Sequence, residues 1–559
     1  MKSKYLKKLV SSLIFSGFGL FTLLFFAPVE VYLGNPTDFR FSLDAAVGVL
    51  AVTALLATVI FSLLASLLPV KVLKFVNLGI LGVTLCYYIQ FLLLNGEMIT
   101  LDGNSLYLTR ETKLINAFIW LGIFSAVFVA WFVFKKLGKE KLYITVTKYL
   151  AVALAIMQLT GFFSLFLTYD RSVNETKSLY FSSEGRLEVS EKNNVLYFII
   201  DYCDGWIVDA ALEEDPNLFS GLDGFTYYPD NVYTHARTFP AVPYLLTGEK
   251  YLNNIPFQSY IDNSFRDNRF LQKIDALGTD IRVYTEPLYV GEYALPYVDN
   301  YRSKDTNDLS DMKILQFVGE TFKVSAFRGA PYAFKRFFAY NTDTVNFNSL
   351  VQDEDYAPVT NDPEFYNTIK TTKISVNENY DSAFRFYHMY GSHPGATFNE
   401  NMEYEPNVSL PRALRGDLLI IKEYVRQLKE LGVYDETTII ITADHGDYYG
   451  YFARPQTCLL LVKEAGADSS QPAKTSQAQV SHADLFATTL KAFGVEYASF
   501  GTPVSEVEEG VNRKRYHYNM EAIDGCEGIL REYLIEGDAR DVANYTATQY
   551  WKVIYSLYQ

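Results

Sequence analysis

The sequence predicts five membrane-crossing helices followed by an α/β domain with a mostly parallel sheet flanked by helices. Three observations lead there. Apolar stretches of about 20 nearly uncharged residues, each long enough to cross roughly 30 Å of hydrocarbon, occupy residues 9–28, 45–68, 75–94, 114–134 and 149–167. Beyond them, strand-like runs at 195–200, 384–388, 438–441 and 459–462 alternate with helical patterns, the order that produces a parallel sheet with helical crossovers. Two of those runs end on groups that bind metals: Asp201 after the first, and Asp444-His445-Gly446 shortly after the third.

The spans come first in the chain, and their flanks orient them. Lys2, Lys4, Lys7 and Lys8 precede span one, Lys71 and Lys74 separate spans two and three, and Lys135, Lys136, Lys139, Lys141 and Lys148 separate four and five. The alternate loops offer only Arg40, Arg110 and Lys113. The excess of lysine on one side predicts a cytoplasmic amino terminus and an outward-facing chain after Tyr169 in a multi-pass cell-membrane protein. A cleaved signal peptide is the alternative for span one; the four further spans and the absence of a clear small-residue cleavage site argue against it.

Residues 170–194 are polar and patternless and read as a tether, so the expected domains are 1–169, 170–194 and 195–559. The chain carries 49 Lys+Arg and 64 Asp+Glu, of which 14 and 8 lie in residues 1–170; the remaining 35 and 56 leave the outer part at a formal −21. Such charge argues against nucleic acid as a partner and against adhesion of this part to anionic lipid through general charge. Cys86 lies inside a span, and Cys203, Cys458 and Cys526 are far apart in sequence, so buried thiols are expected rather than a disulfide framework. The clearest helix covers 415–431, where Leu418, Ile421, Val425 and Leu428 fall on one face, and Gly432 ends it.

Ligands of open α/β sheets collect beyond the carboxyl ends of the strands, where Asp201, Asp444 and His445 fall. Thr238, in Arg237-Thr238-Phe239-Pro240, precedes the apolar stretch 241–246 and reads as the start of a helix whose first turn carries proline and whose amides face an anion. A threonine hydroxyl needs a base or a metal to become a nucleophile. Asp201, Thr238, Asp444 and His445 are a ligand set for one divalent cation, Mn2+ or Zn2+ by their mixed oxygen and nitrogen donors, with Mg2+ also compatible. Asp204 is an adjacent rival to Asp201. All six histidines lie in the outer part. His388 and His393 bracket Met389-Tyr390-Gly391-Ser392 at a strand end, where imidazoles bind phosphate oxygens or protonate a leaving group. His482, in Ser481-His482-Ala483-Asp484, either reaches the substrate or caps the following helix. Arg454 and Lys463 could balance an anionic substrate, and otherwise read as ordinary surface residues.

These residues, in this order, resemble the alkaline phosphatase and sulfatase superfamily, and most closely its membrane-embedded branch of lipoteichoic acid synthases and phosphoethanolamine transferases. The resemblance covers the five spans and the outer domain. It implies a sulfatase-like fold, metal ligation by Asp201, Thr238, Asp444 and His445, Thr238 as nucleophile, and His393 near the transferred phosphate, with His388 and His482 as further substrate contacts. It implies two-step transfer of glycerol phosphate or a related head group from a membrane phospholipid to an envelope glycan or glycolipid, through phosphothreonine. Phosphoethanolamine transfer, plain hydrolysis and a catalytically silent envelope scaffold are the competing expectations. The chain departs from sulfatases at Thr238-Phe239-Pro240-Ala241-Val242: threonine cannot be converted to the sulfatase aldehyde, and the arginine of that motif is absent.

Overall fold

The computed structural model describes residues 2–95, 110–170, 177–255, 257–306, 308–340, 342–351, 361–447, 454–523 and 527–553. The chain divides into two compact units: residues 1–178 with 304–353, and 179–303 with 354–559.

The first unit holds five helices long and apolar enough to cross a membrane, Lys4–Gly34, Leu43–Leu67, Val70–Leu94, Arg110–Lys136 and Glu140–Thr168. The first helix passes through a π-helical turn, Thr22–Phe26, just ahead of Pro28; the wider turn accommodates a residue that has no N–H and crowds the preceding carbonyls. Its packed centre includes Phe15, Phe18, Leu78, Leu81, Val127 and Ala151. Polar pairs lock the helices together where no water competes: Ser16 to Ser62 at 2.6 Å, Thr22 to Gln158 at 3.0 Å, and Asn116 to Gln90 at 2.7 Å.

Two boundaries differ from the sequence expectation. Strands Lys177–Phe181 and Glu188–Val189 lie inside the stretch expected to be a tether. Residues 304–353, expected within the outer domain, belong to the first unit. The reason is the inward face of helix Ile314–Gly329: Phe317 meets the Phe41 ring edge-on at 5.0 Å, and Ser325 hydrogen-bonds Tyr87 at 2.6 Å.

The second unit is built on a seven-stranded mixed sheet. In chain order its strands are β1 Asn193–Ile200, β2 Thr226–Tyr227, β3 Asp280–Tyr284, β4 Ser382–Met389, β5 Thr437–Thr442, β6 Leu460–Lys463 and β7 Lys474–Thr475, arranged β7-β2-β6-β5-β1-β4-β3. The run β5-β1-β4-β3 is parallel, and β6 is antiparallel to both its neighbours. Successive residues of β1 serve opposite layers: Leu196, Phe198 and Ile200 enter one apolar core, Val195, Tyr197 and Ile199 the other. Helix Leu410–Leu431 covers the first face through the expected Leu418, Ile421, Val425 and Leu428, and ends at Gly432 in the left-handed conformation, φ 73°. Helices Thr238–Thr247 and Asp484–Ala492 cover the second.

A meander of β8 Lys514–Ile523, β9 Glu527–Glu536 and β10 Tyr545–Val553 follows. Tyr518 of β8 exchanges backbone hydrogen bonds with Thr234 and Ala236, just before Thr238. Cys86, Cys203 and Cys458 are buried free thiols, as expected, and Cys526 lies outside the described residues.

Ile440, wholly buried at the centre of β5, tests this packing. Replacing it with alanine in the full-length protein is expected to cost about 2–5 kcal/mol, read as a lowered denaturation midpoint with unchanged secondary structure in the native baseline.

Candidate metal centre

The parallel register of β5, β1 and β4 creates the site. Thr442 pairs with Ile199, and Ile200 with Met389, so the three strands end side by side and release their chains on one edge. Asp201 follows β1, and Asp444 with His445 follows β5 after Ala443. Thr238 comes from outside the sheet, as the first residue of helix Thr238–Thr247.

The four expected ligands converge. Thr238 Oγ1 is 3.1 Å from His445 Nε2, which lies 3.5 Å from Asp444 Oδ2 and 3.8 Å from Asp201 Oδ1. Ligand atoms of Asp201, Asp444 and His445 all lie within 4.8 Å of one another. Metal–ligand bonds of about 2.0–2.2 Å hold ligand atoms roughly 3–4 Å apart, so the cluster has the dimensions of a first coordination sphere.

Two further observations fit a cation. Among the described residues, Asp201 Oδ1 and Asp444 Oδ2 are buried and accept no hydrogen bond, a costly state for carboxylate oxygens that a cation would relieve. His445 Nδ1 lies 2.8 Å from the Gly446 carbonyl, which places its proton there and leaves the Nε2 lone pair facing the cluster. Burial lowers the pKa of the His445 ring.

The two carboxylates oppose each other electrostatically. Burial and then the Asp444 charge push Asp201 well above the ordinary carboxylate range. For Asp444, burial acts in the same direction but is outweighed by His445 and His388 and by amide hydrogen bonds from Tyr202 and His445, at 3.1 and 2.8 Å, so its pKa falls.

The helix at Thr238 begins without a side-chain cap, Arg237 being extended at φ −145°. The amides of Thr238 and Phe239 have no acceptor within the helix, as at any helix start, and Pro240 contributes no donor.

The histidines divide. His388 Nε2 is 4.0 Å from Asp201 Oδ2, and its Nδ1 is held by Thr285 Oγ1 at 2.9 Å, which places it on the rim of the cluster. His393 sits on the loop after β4, its ring 5.8 Å from that of Tyr202 and its Nδ1 3.1 Å from the Pro394 carbonyl. It is not among the clustered ligands. His482 differs from expectation as a substrate contact: it is fully buried, its Nε2 lies 3.4 Å from Cys458 Sγ, and burial lowers its pKa to about 3. It does not cap the next helix either; there the Asp484 carboxylate accepts from the Ser481 amide at 2.8 Å. Asp204, the rival of Asp201, caps helix Gly205–Glu214 and accepts from the Asp447 amide at 2.7 Å. Lys463 is buried, its ammonium donating to the carbonyls of Tyr434, Asp435 and Thr437. Arg454 reaches Asp447 at 3.2 Å.

Several supporting residues were not read from the sequence. Tyr202 takes a left-handed conformation, φ 63°, which aims its amide at Asp444, while its hydroxyl donates to Asp447 at 2.7 Å. Asp362 accepts from the Tyr390 and Gly391 amides at 3.3 and 2.8 Å, and on helix Leu410–Leu431 the fully buried Asp417 has its pKa pushed well up by burial and then by the Asp362 charge. Gly391 was the detectable signal: at φ 66°, a Cβ there would lie 2.5 Å from the Asp201 amide nitrogen.

No protein-family model and no curated protein sequence matches the chain. Solved structures do resemble it at low identity. A phosphonate monoester hydrolase from Silicibacter pomeroyi is 15% identical over 64% of this chain and 88% of its own, with a TM-score of 0.37. A Vibrio parahaemolyticus protein of the alkaline phosphatase superfamily is 13% identical over 67% and 82%, with a TM-score of 0.34. A phosphonate monoester hydrolase from Agrobacterium radiobacter is 14% identical over 64% and 88%, with a TM-score of 0.30.

Two outcomes test the centre. Gly391→Ala is expected to weaken Mn2+ binding by about 10- to 100-fold, read by calorimetry, because the Asp201 backbone must shift. In chelator, the raised Asp201 pKa stabilises the metal-free fold while the group is protonated, and this contribution is lost as pH rises through the raised value. The thermal midpoint of wild type relative to Asp201→Asn should therefore fall with rising pH, and added Mn2+ should reverse the trend in wild type alone.

Proposed function

We propose that this protein is a metal-dependent phosphotransferase that moves a glycerol phosphate or related head group from a membrane phospholipid to an envelope glycan or glycolipid, through phosphothreonine at Thr238. The observation that carries the reading is the position of the Thr238 hydroxyl, 3.1 Å from His445 Nε2 at a helix start and beside two buried carboxylates. Asp201, Thr238, Asp444 and His445 would hold one divalent cation, whose Lewis acidity favours the threonine alkoxide at neutral pH. Mn2+ and Zn2+ suit the donor set best.

In the first half-reaction the Thr238 oxygen bonds to phosphorus, the bond to the diacylglycerol oxygen breaks, and protonated His393 supplies the proton to that leaving oxygen. The Thr238 and Phe239 amides orient a phosphate oxygen. In the second, an acceptor hydroxyl attacks the phosphothreonine and gives its proton to His393, releasing Thr238. Threonine at this position supports phosphoryl transfer over sulfate ester hydrolysis, since no aldehyde can form. The five spans give the lipid donor a route to the protein, and the lysine-rich flanks support an outward-facing catalytic unit.

Purified protein given labelled phosphatidylglycerol or phosphatidylethanolamine is expected to release diacylglycerol from the former. Thr238→Ala is expected to lower that release by about 10³-fold or more, with Thr238→Ser retaining part of it. Without acceptor, mass spectrometry should find the head-group phosphate on the Thr238 peptide. Unchanged release by Thr238→Ala would overturn the reading, and free head-group phosphate with no acceptor product would make the protein a hydrolase.

A further inference from the structure

We propose that residues 304–353 form an in-plane membrane element, a lipid-immersed insert at the end of the helix bundle opposite the lysine-rich loops. The inference rests on the five helices being membrane spans and is independent of the catalytic reading.

Its place along the bundle follows from its contacts within the first unit. Ser325 donates to the Leu23 carbonyl and pairs with Tyr87, Asn95 Nδ2 donates to the Arg328 carbonyl at 2.9 Å, and the Tyr332 amide donates to Asn116 at 3.0 Å. Asn346 accepts from the Arg40 amide at 3.0 Å and donates to the Asp38 carbonyl at 2.8 Å. Asp38 and Arg40 lie in the first interhelical connection, and Asn95 just after the third helix. The tight connections between Leu67 and Val70 and between Lys136 and Glu140, with their lysines, lie at the other end.

The outward face of the insert is apolar. Helix Ile314–Gly329 buries Phe317, Thr321, Val324 and Ser325 and turns Leu315, Gly319 and Phe322 outward, a stripe at helical spacing. Leu315 is 83% exposed, and Phe337 and Phe334, which follow the helix, are 63% and 55% exposed. A water-facing surface rarely gathers such side chains within so short a stretch. Basic residues are interleaved with them: Lys323 is exposed, and the Arg336 guanidinium covers the Phe337 ring at 4.8 Å. Aromatics in the acyl boundary with Lys and Arg reaching to head groups is the composition of an interfacial helix, buried about 5–10 Å into the boundary. The Tyr332 amide is bonded to Asn116, and the helix of Asn116 exposes Phe118 and Leu121 within its next two turns; lipid around that helix is therefore the occupant chosen over a second copy of the chain.

The test uses the full chain with Cys526→Ser, reconstituted in phosphatidylcholine–phosphatidylglycerol vesicles. Nitroxides are placed at Leu315→Cys, Phe334→Cys and Phe337→Cys, with Leu121→Cys as the lipid control and exposed Glu213→Cys as the water control. All are exposed positions, so the fold tolerates the labels. Collision with oxygen is expected to exceed collision with a water-soluble nickel chelate several-fold at the three insert sites, as at Leu121. Nickel access matching Glu213 would overturn the proposal, and so would shielding from both reagents, which marks protein cover.

Discussion

Two carboxylates drawn together by strand register, Asp444 buried and Asp201 nearly so, are the constraint on which the α/β unit depends. Each closes a parallel strand that the sheet requires, and the pairing of β1 with β5 leaves no freedom to separate them. Burial and then the Asp444 charge raise the Asp201 pKa, whereas that of Asp444 is lowered despite burial by its imidazole neighbours and two amides. A divalent cation would relieve the conflict near the Thr238 hydroxyl, which lies 3.1 Å from His445 Nε2.

The surroundings are organised to maintain that geometry. Tyr202 holds a left-handed conformation that a tyrosine adopts at a cost, and its amide and hydroxyl then anchor Asp444 and Asp447. The loop after β4 is held by Asp362, whose charge, after burial, raises the pKa of buried Asp417. This loop carries His393, so buried Asp362 fixes the backbone just ahead of that imidazole. Gly391 lets the loop approach the Asp201 backbone more closely than any side chain would permit.

The first unit follows another logic. Its helices expose apolar side chains outward and hide serine, threonine, glutamine and asparagine pairs inside, as expected where the surrounding solvent is hydrocarbon. Residues 304–353 extend this pattern into a stretch that leaves the α/β unit and returns to it, so three chain crossings link the units where a single tether was expected.

Local sequence determined what depends on neighbours along the chain. Apolar runs long enough to span a bilayer, the alternation of strands and helices, the helix ending at Gly432, and the strand-end positions of Asp201, Asp444 and His445 were all legible, because length, periodicity and strand-end position are local properties. Tertiary structure decided the rest. His388 and His482 read alike in sequence, yet one reaches the rim of the cluster and the other packs against Cys458; burial separates them, and burial depends on which elements cross overhead. Asp204 and Asp201 were rivals until one became a helix cap. Residues 304–353 carry no continuous apolar run, so only the packing of Phe317 and Ser325 among the helix ends shows to which unit they belong. Supports such as Tyr202 and Asp417 act through contacts more than 20 positions away in the chain, a range at which composition and spacing hold no information.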